Sequence, residues 1–240
     1  MSTFKRSTVI DSCRGLAVVM MIVYHFCYDL TYFNLVLFNF QQDPFWQNFR
    51  SVIISLFLAI VGISLTLVKY HKVSKSKIIR RIVILFLCAA LITLVSYFLF
   101  PGRTIVFGIL HFITLASILA LPFINRPVLS LLTGVSLIII GINVTHTAFN
   151  QTYLHWIGLM TFKPATEDYV PLLPWLGAVL CGIYIGWLLN ETGLGKKILQ
   201  TDTNKYITGS FQWLGKNSLL VYMLHQPILF ALLWLFIKLT

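Results

Sequence analysis

The sequence predicts an all-α protein: a polytopic membrane helical bundle of about seven transmembrane helices. Three observations carry this. Hydrophobic residues make up 58% of the 240 and charged residues only 10%, whereas a soluble protein carries about 25% charged residues. The apolar residues gather into runs long enough to cross a hydrocarbon layer. The cations gather between those runs.

The runs fall near 15–38, 51–68, 78–100, 105–122, 128–144, 171–189 and 217–237. A polar, aromatic loop with Asp43, Pro44, Phe45 and Trp46 joins the first two. KYHKVSKSKIIRR, with six cations and no acid, joins the second and third. Pro101-Gly102-Arg103 leaves room only for a turn before the fourth. Arg126-Pro127 separates the fourth and fifth. The longest loop, about 145–170, holds His146, His155, Lys163, Glu167 and Asp168. The last, about 190–216, carries Lys196, Lys197, Lys205 and Lys216. A single domain over residues 1–240 is expected. No internal repeat is visible, which disfavours a transporter built from duplicated halves.

The formal net charge is +11. Because the cations lie between spans, it is assigned to topology and to anionic membrane lipid, and no nucleic-acid partner is expected. Lys5, Arg6, the six-cation loop, Arg126 and the last lysine-bearing loop would share the cytoplasmic side. An odd number of spans then puts the C-terminus and the long histidine-bearing loop outside. Lys5 and Arg6 before an apolar run mimic a signal peptide, but no A-x-A-like site follows, so an uncleaved first span is expected. Cys13, Cys27, Cys88 and Cys181 lie in or beside spans at spacings that fit neither a disulfide framework nor a zinc site. No metal is expected.

Ionisable residues inside spans are costly and mark candidate sites. Within RGLAVVMMIVYHFCYDL, Arg14 stands at the mouth of the first span. His25 lies eleven residues on, about 16 Å deeper and so near the bilayer midplane. Asp29, one turn beyond on the same face, can orient or charge-pair His25. His111 should sit roughly 9 Å in from the outer end of the fourth span, and His225 roughly 13 Å from the inner end of the seventh. Each of these histidines also fits an interhelical hydrogen bond. Arg14, Arg80 and Arg81 fit ordinary anchors; with Lys216 they also fit a polyphosphate headgroup, because guanidinium forks bind phosphate oxygens bidentately. Gly215-Lys216-Asn217-Ser218 opens the seventh span. Pro171 to Trp175 opens the sixth at its outer end, and Arg103 is an isolated outer cation. Both fit either membrane anchoring or an acceptor mouth.

The R-x10-H arrangement of Arg14 and His25 in RGLAVVMMIVYH resembles the first span of the transmembrane acyltransferase superfamily. Within it, the chain is most similar to small bacterial relatives of the heparan-α-glucosaminide N-acetyltransferase catalytic domain. The likeness recurs at FLAIVGISL (57–65), RRI (80–82), GILHFI (108–113), PLLPWLGAVLCGI (171–183) and LGKNSLLVYMLHQP (214–227), so it runs along almost the whole chain. The resemblance implies an enzyme of a bacterial inner membrane that moves an acyl group, most simply acetyl, from cytoplasmic acetyl-CoA to an extracytoplasmic acceptor. A glycan, or a small amine or alcohol, fits that role. It places Arg14 on the CoA side and His25 in catalysis. Asp29 and His111 would complete the catalytic set, Arg80, Arg81 and Lys216 the CoA site, and Arg103, Trp175 and His225 the acceptor site. A homodimer is compatible with this. A proton-coupled small-molecule transporter, with Asp29, His25 and His111 relaying protons, is the rival.

Overall fold

The computed structural model describes residues 7–99, 102–164, 166, 168–201 and 205–239, with the side chains of 205–207 outside the description. Lys5, Arg6, Pro101, Glu167 and the Lys205 side chain therefore lie outside it. Among the described residues the regular structure is all helical: α1 (Thr8–Tyr32), α2 (Pro44–Tyr70), α3 (Lys75–Leu99), α4 (Ile109–Leu119), α5 (Pro127–Asn143), α6 (Leu172–Glu191), α7 (Gly193–Gln200), α8 (Lys205–Lys216) and α9 (Ser218–Leu239). A helix stands at each of the seven expected spans. Five are long and apolar enough to cross a membrane, and α4 and α5 are shorter apolar helices.

Local chemistry explains where the helices depart from the expected spans. The first was expected to run to residue 38 but closes at Tyr32. Asn34 adopts φ +58, its N–H donates to Thr31 O, and the Leu35 N–H donates to Leu30 O. That is a Schellman closure, with Asn supplying the left-handed residue. Lys72, at φ +48, closes α2 in the same way through Lys72 N–H to Lys69 O and Val73 N–H to Val68 O. Asp43 caps the start of α2 by accepting from the Phe45 N–H at 2.8 Å. The fourth span was expected over 105–122, yet α4 has 11 residues, about 16 Å. Much of it packs on protein: Leu110, Phe112, Ile113, Thr114, Ala116 and Ser117 are buried, while Ile118 and Leu119 stay exposed; such packing is the condition for irregular backbone at membrane depth. The last connection between spans, about 190–216, contains α7 and α8. These are short helices with cations and apolar residues on one chain segment, too brief and polar to register as spans.

The chain divides into two compact units. One takes in residues up to Phe57 together with Gly193 onward; the other is Leu58–Thr192. In the first, α1 meets α8 through backbone. A Cβ on Gly15 would fall 1.9 Å from Phe211 O, and one on Gly215 1.9 Å from Asp11 O. Val18, Met21 and Ile53 form its core with Tyr24, Phe49, Leu214 and Val221 around them. Phe40 and Trp46 pack 4.5 Å apart beside Tyr24 and Phe38. In the second unit, α6 is the hub. Gly177 faces Gly134 of α5, and Gly182 faces Ala59 of α2. Ser130 Oγ donates to Leu180 O at 2.8 Å and Thr66 Oγ1 to Ile183 O at 3.1 Å. Small residues that bring backbones together are how helices associate in lipid, where there is no hydrophobic drive.

Helix directions follow from these pairs. Ser130–Leu180, Gly134–Gly177 and Gly141–Pro174 run α5 antiparallel to α6. Thr66–Ile183 and Tyr70–Glu191 run α2 parallel to α6. His25–His225 and Tyr32–Phe230 run α1 parallel to α9. Thr93–His111 and Ser96–Ile105 run α3 against the segment that leads into α4. Seven alternating crossings require each of these senses. Large apolar side chains stay exposed on α3, including Phe86 at 61%, Leu94 at 56% and Phe98 at 70%, as a helix facing lipid requires.

Candidate functional site

The site begins with α1. Its apolar positions pack on α2 and α8, and the same helix carries His25 and Asp29 at i and i+4, one turn apart. Asp29 is completely buried. Its Oδ1 accepts from Gln226 Nε2 of α9 at 2.7 Å, so the carboxylate is held from the neighbouring helix. His25 is half-buried. Its ring lies edge-on to that of His225, with centroids 5.0 Å apart, and to that of Tyr24 at 5.7 Å. Among the described residues, neither ring nitrogen of His25 takes a hydrogen bond. His225 is buried, and its Nδ1 bonds to Tyr222 O at 2.6 Å. A carbonyl can only accept, so Nδ1 carries the proton, and Nε2 is the basic nitrogen of the neutral ring. Pro227 stands two residues on inside α9 and cannot donate to the carbonyl one turn earlier. The polar side chains of α9 therefore cluster where its own ladder is interrupted.

Arg14 lies in the second turn of α1 rather than at its mouth, because the helix starts at Thr8. Its Nη1 pairs with Asp11 Oδ1 at 3.1 Å and donates to Gly215 O at 3.4 Å. It therefore ties the last turn of α8 to α1 at the glycine contact. Lys216, the next residue, is exposed.

His111 belongs to the other unit and is built differently. Its Nδ1 accepts from the Gly108 N–H at 3.2 Å. Thr93 Oγ1 spends its proton on Ile105 O at 2.8 Å and lies 3.0 Å from His111 Nε2. Thr93 must therefore accept there, so Nε2 carries the imidazole proton. Both nitrogens are filled. Asp168 Oδ2 accepts from the Ile109 N–H at 3.0 Å and adds a carboxylate to the same helix start, where the dipole favours one. The expected outer residues are in this unit too: Arg103 is exposed in the connection before α4, and Trp175 is half-buried at the start of α6. Arg80 and Arg81 are exposed near the start of α3.

The histidine-bearing loop of 145–170 is internally bonded. His155 Nε2 lies 3.1 Å from Asn150 O, the Tyr169 hydroxyl donates to His155 O at 2.6 Å, and the Ala148 N–H donates to His146 Nδ1 at 3.1 Å. Its histidines are thus used in shaping two 3-10 turns.

The structure brings His25 against His225 and Asp29 against the adjacent Gln226. Sequence reasoning gave no site role to Gln226, which stands inside the quoted LHQP segment beside His225, nor to Thr93 and Asp168, whose partners are distant in sequence. Among the described residues, no group of three or more His, Cys, Asp or Glu could hold a metal ion.

A family model described as heparan-alpha-glucosaminide N-acetyltransferase, catalytic, matches residues 6–227. No curated protein and no solved structure matches the chain.

Proposed function

We propose, for a chain that belongs to the heparan-alpha-glucosaminide N-acetyltransferase catalytic family, that it carries acetyl from cytoplasmic acetyl-CoA to an extracytoplasmic acceptor, a sugar amine or hydroxyl, with His25 as the base. The family implies an acetyltransferase, and the helices make the chain a multi-pass membrane protein. The observation that supports the site is the His25 ring: a half-buried imidazole whose nitrogens take no protein hydrogen bond among the described residues, one turn from a buried carboxylate.

The chemistry runs as one proton cycle. The acceptor's nitrogen or oxygen attacks the thioester carbonyl while its proton passes to His25. The tetrahedral intermediate collapses and the carbon–sulfur bond breaks. The CoA thiolate leaves and takes the proton back from the imidazolium. Ionised Asp29, anchored by Gln226, favours the imidazolium while it exists. A site shielded from water strengthens that interaction.

In this reading the N-terminus is cytoplasmic and the membrane a bacterial inner membrane; the clustering of cations in the connections between spans supports that orientation. Arg14, Arg80, Arg81 and Lys216 are each candidate contacts for CoA phosphates, and Arg103 and Trp175 for the acceptor. Arg14 would have to share its guanidinium between phosphate and its present partners, Asp11 and Gly215 O. His111, with both nitrogens filled, serves in this account as a helix cap.

The test is release of CoA thiol by purified protein given acetyl-CoA, with and without D-glucosamine. Acceptor-dependent thiol release with acetylated product supports the proposal. Proton-coupled solute flux in liposomes without acetyl-CoA turnover would replace it with transport.

A further inference from the structure

We propose that Gln226 is a ligand-recognition residue, whose side-chain carbonyl accepts a hydrogen bond from a neutral N–H or O–H of a bound substrate. The inference rests on the acetyl-transfer reading and adds to it a residue and a ligand chemistry. Gln226 Nε2 donates to Asp29 Oδ1 at 2.7 Å. That bond fixes the amide's orientation, since a flipped amide would set its oxygen against the carboxylate oxygen. The other end, Oε1, is buried and takes no hydrogen bond among the described residues. Buried side-chain polar atoms in native proteins overwhelmingly have partners, and an orphan calls for an explanation. This one lies next to His225, on a side chain bonded to Asp29, one turn from His25. A ligand carrying a donor at that point satisfies it.

The oxygen can only accept. It therefore selects for an amide N–H, amine or hydroxyl and against an ether, ester or bare carbon at the same place, because mismatch leaves it orphaned still. Two ligands of the reaction carry such donors: the pantetheine amides of acetyl-CoA, and the amine or hydroxyls of a sugar acceptor. The chemistry is shared, and the experiment separates the sources.

The Gln226→Met variant removes both amide ends at nearly constant volume. Gln226→Glu keeps an outer oxygen and can share a proton with Asp29. Two quantities are measured on the full chain: the Kd of acetyl-CoA by calorimetry, and the KM of D-glucosamine at saturating acetyl-CoA. Each is repeated with donor-deleted probes, a pantetheine amide-to-ester analogue and monodeoxy glucosamines. Gln226→Met should weaken one of the two probes roughly tenfold, and that probe's donor-deleted analogue should then bind wild type and variant alike. Gln226→Glu should retain most of the probe's affinity. A rise in acetyl-CoA Kd identifies the pantetheine arm; a rise in glucosamine KM identifies the acceptor.

A fall in kcat with both constants unchanged would overturn the proposal and leave Gln226 only as Asp29's holder. If wild type binds acetyl-CoA but transfers nothing, the acetyl-transfer reading fails. The acetyl-CoA arm then decides alone: an unchanged Kd in Gln226→Met overturns the assignment and a raised one supports it. A wild type that binds neither probe overturns both.

Discussion

Two histidines at comparable expected depths end up with opposite surroundings. His111, at the start of α4, has Gly108 N–H on one nitrogen and Thr93 on the other. His25, in α1, touches rings and takes no hydrogen bond among the described residues. The first is a saturated cap that organises a short helix. The second has nitrogens open to a substrate and a buried carboxylate one turn away. An ionisable residue within a span is thus a candidate by cost alone, and unused hydrogen-bonding capacity is the ground on which we propose His25 rather than His111 as the base.

The largest effect should break this contrast if it is wrong. His25→Ala should lower kcat by about 10²–10⁴-fold, the usual cost of losing a general base, with an unchanged unfolding midpoint. Retention of half the wild-type rate would remove His25 from catalysis. Asp29→Asn comes next: it keeps an acceptor for Gln226 but deletes the charge that favours imidazolium, and kcat should fall at least about tenfold. A normal rate would make Asp29 structural.

His111→Ala should show the inverse pattern. It frees the Gly108 N–H and strips Thr93 of its donor, costing about 1–2 kcal/mol of stability by denaturant titration in detergent, while kcat stays within a few-fold. A rate loss matching that of His25→Ala would return His111 to the catalytic set. The smallest effect is expected at Lys216. It is exposed, so Lys216→Ala should change acetyl-CoA affinity by no more than about fivefold, read by calorimetry.

The bundle was legible because its signals are local and strong. Seven apolar runs and the cation-bearing loops between them each became a feature of the fold. Ends were less legible. Asn34 and Lys72 stop α1 and α2 by adopting left-handed conformations; a lysine does not announce one, and at Asn34 the apolar residues that follow it masked the signal. The helices α7 and α8 hid because α8's burial against α1 depends on Gly15 and Gly215, 200 residues apart in sequence. The same distance hid half of the site. His25 with Asp29 is visible as an i,i+4 pair on one helix. That His225 meets His25, and that Gln226 grips Asp29, depends on α9 running parallel to α1. Arg14's grip on Gly215 O is likewise tertiary. For His111 the pattern gave no sign of the partners that fill its nitrogens, a backbone amide and a threonine from the preceding helix.

Transfer across a bilayer through His25 is the step we propose for this chain. Its most direct measurement uses sealed, oriented vesicles with labelled acetyl-CoA on the cytoplasmic face and a membrane-impermeant sugar amine on the other. Wild type should yield labelled sugar on the outer face and His25→Ala none. Labelled sugar formed only when both substrates share the cytoplasmic face would contradict it.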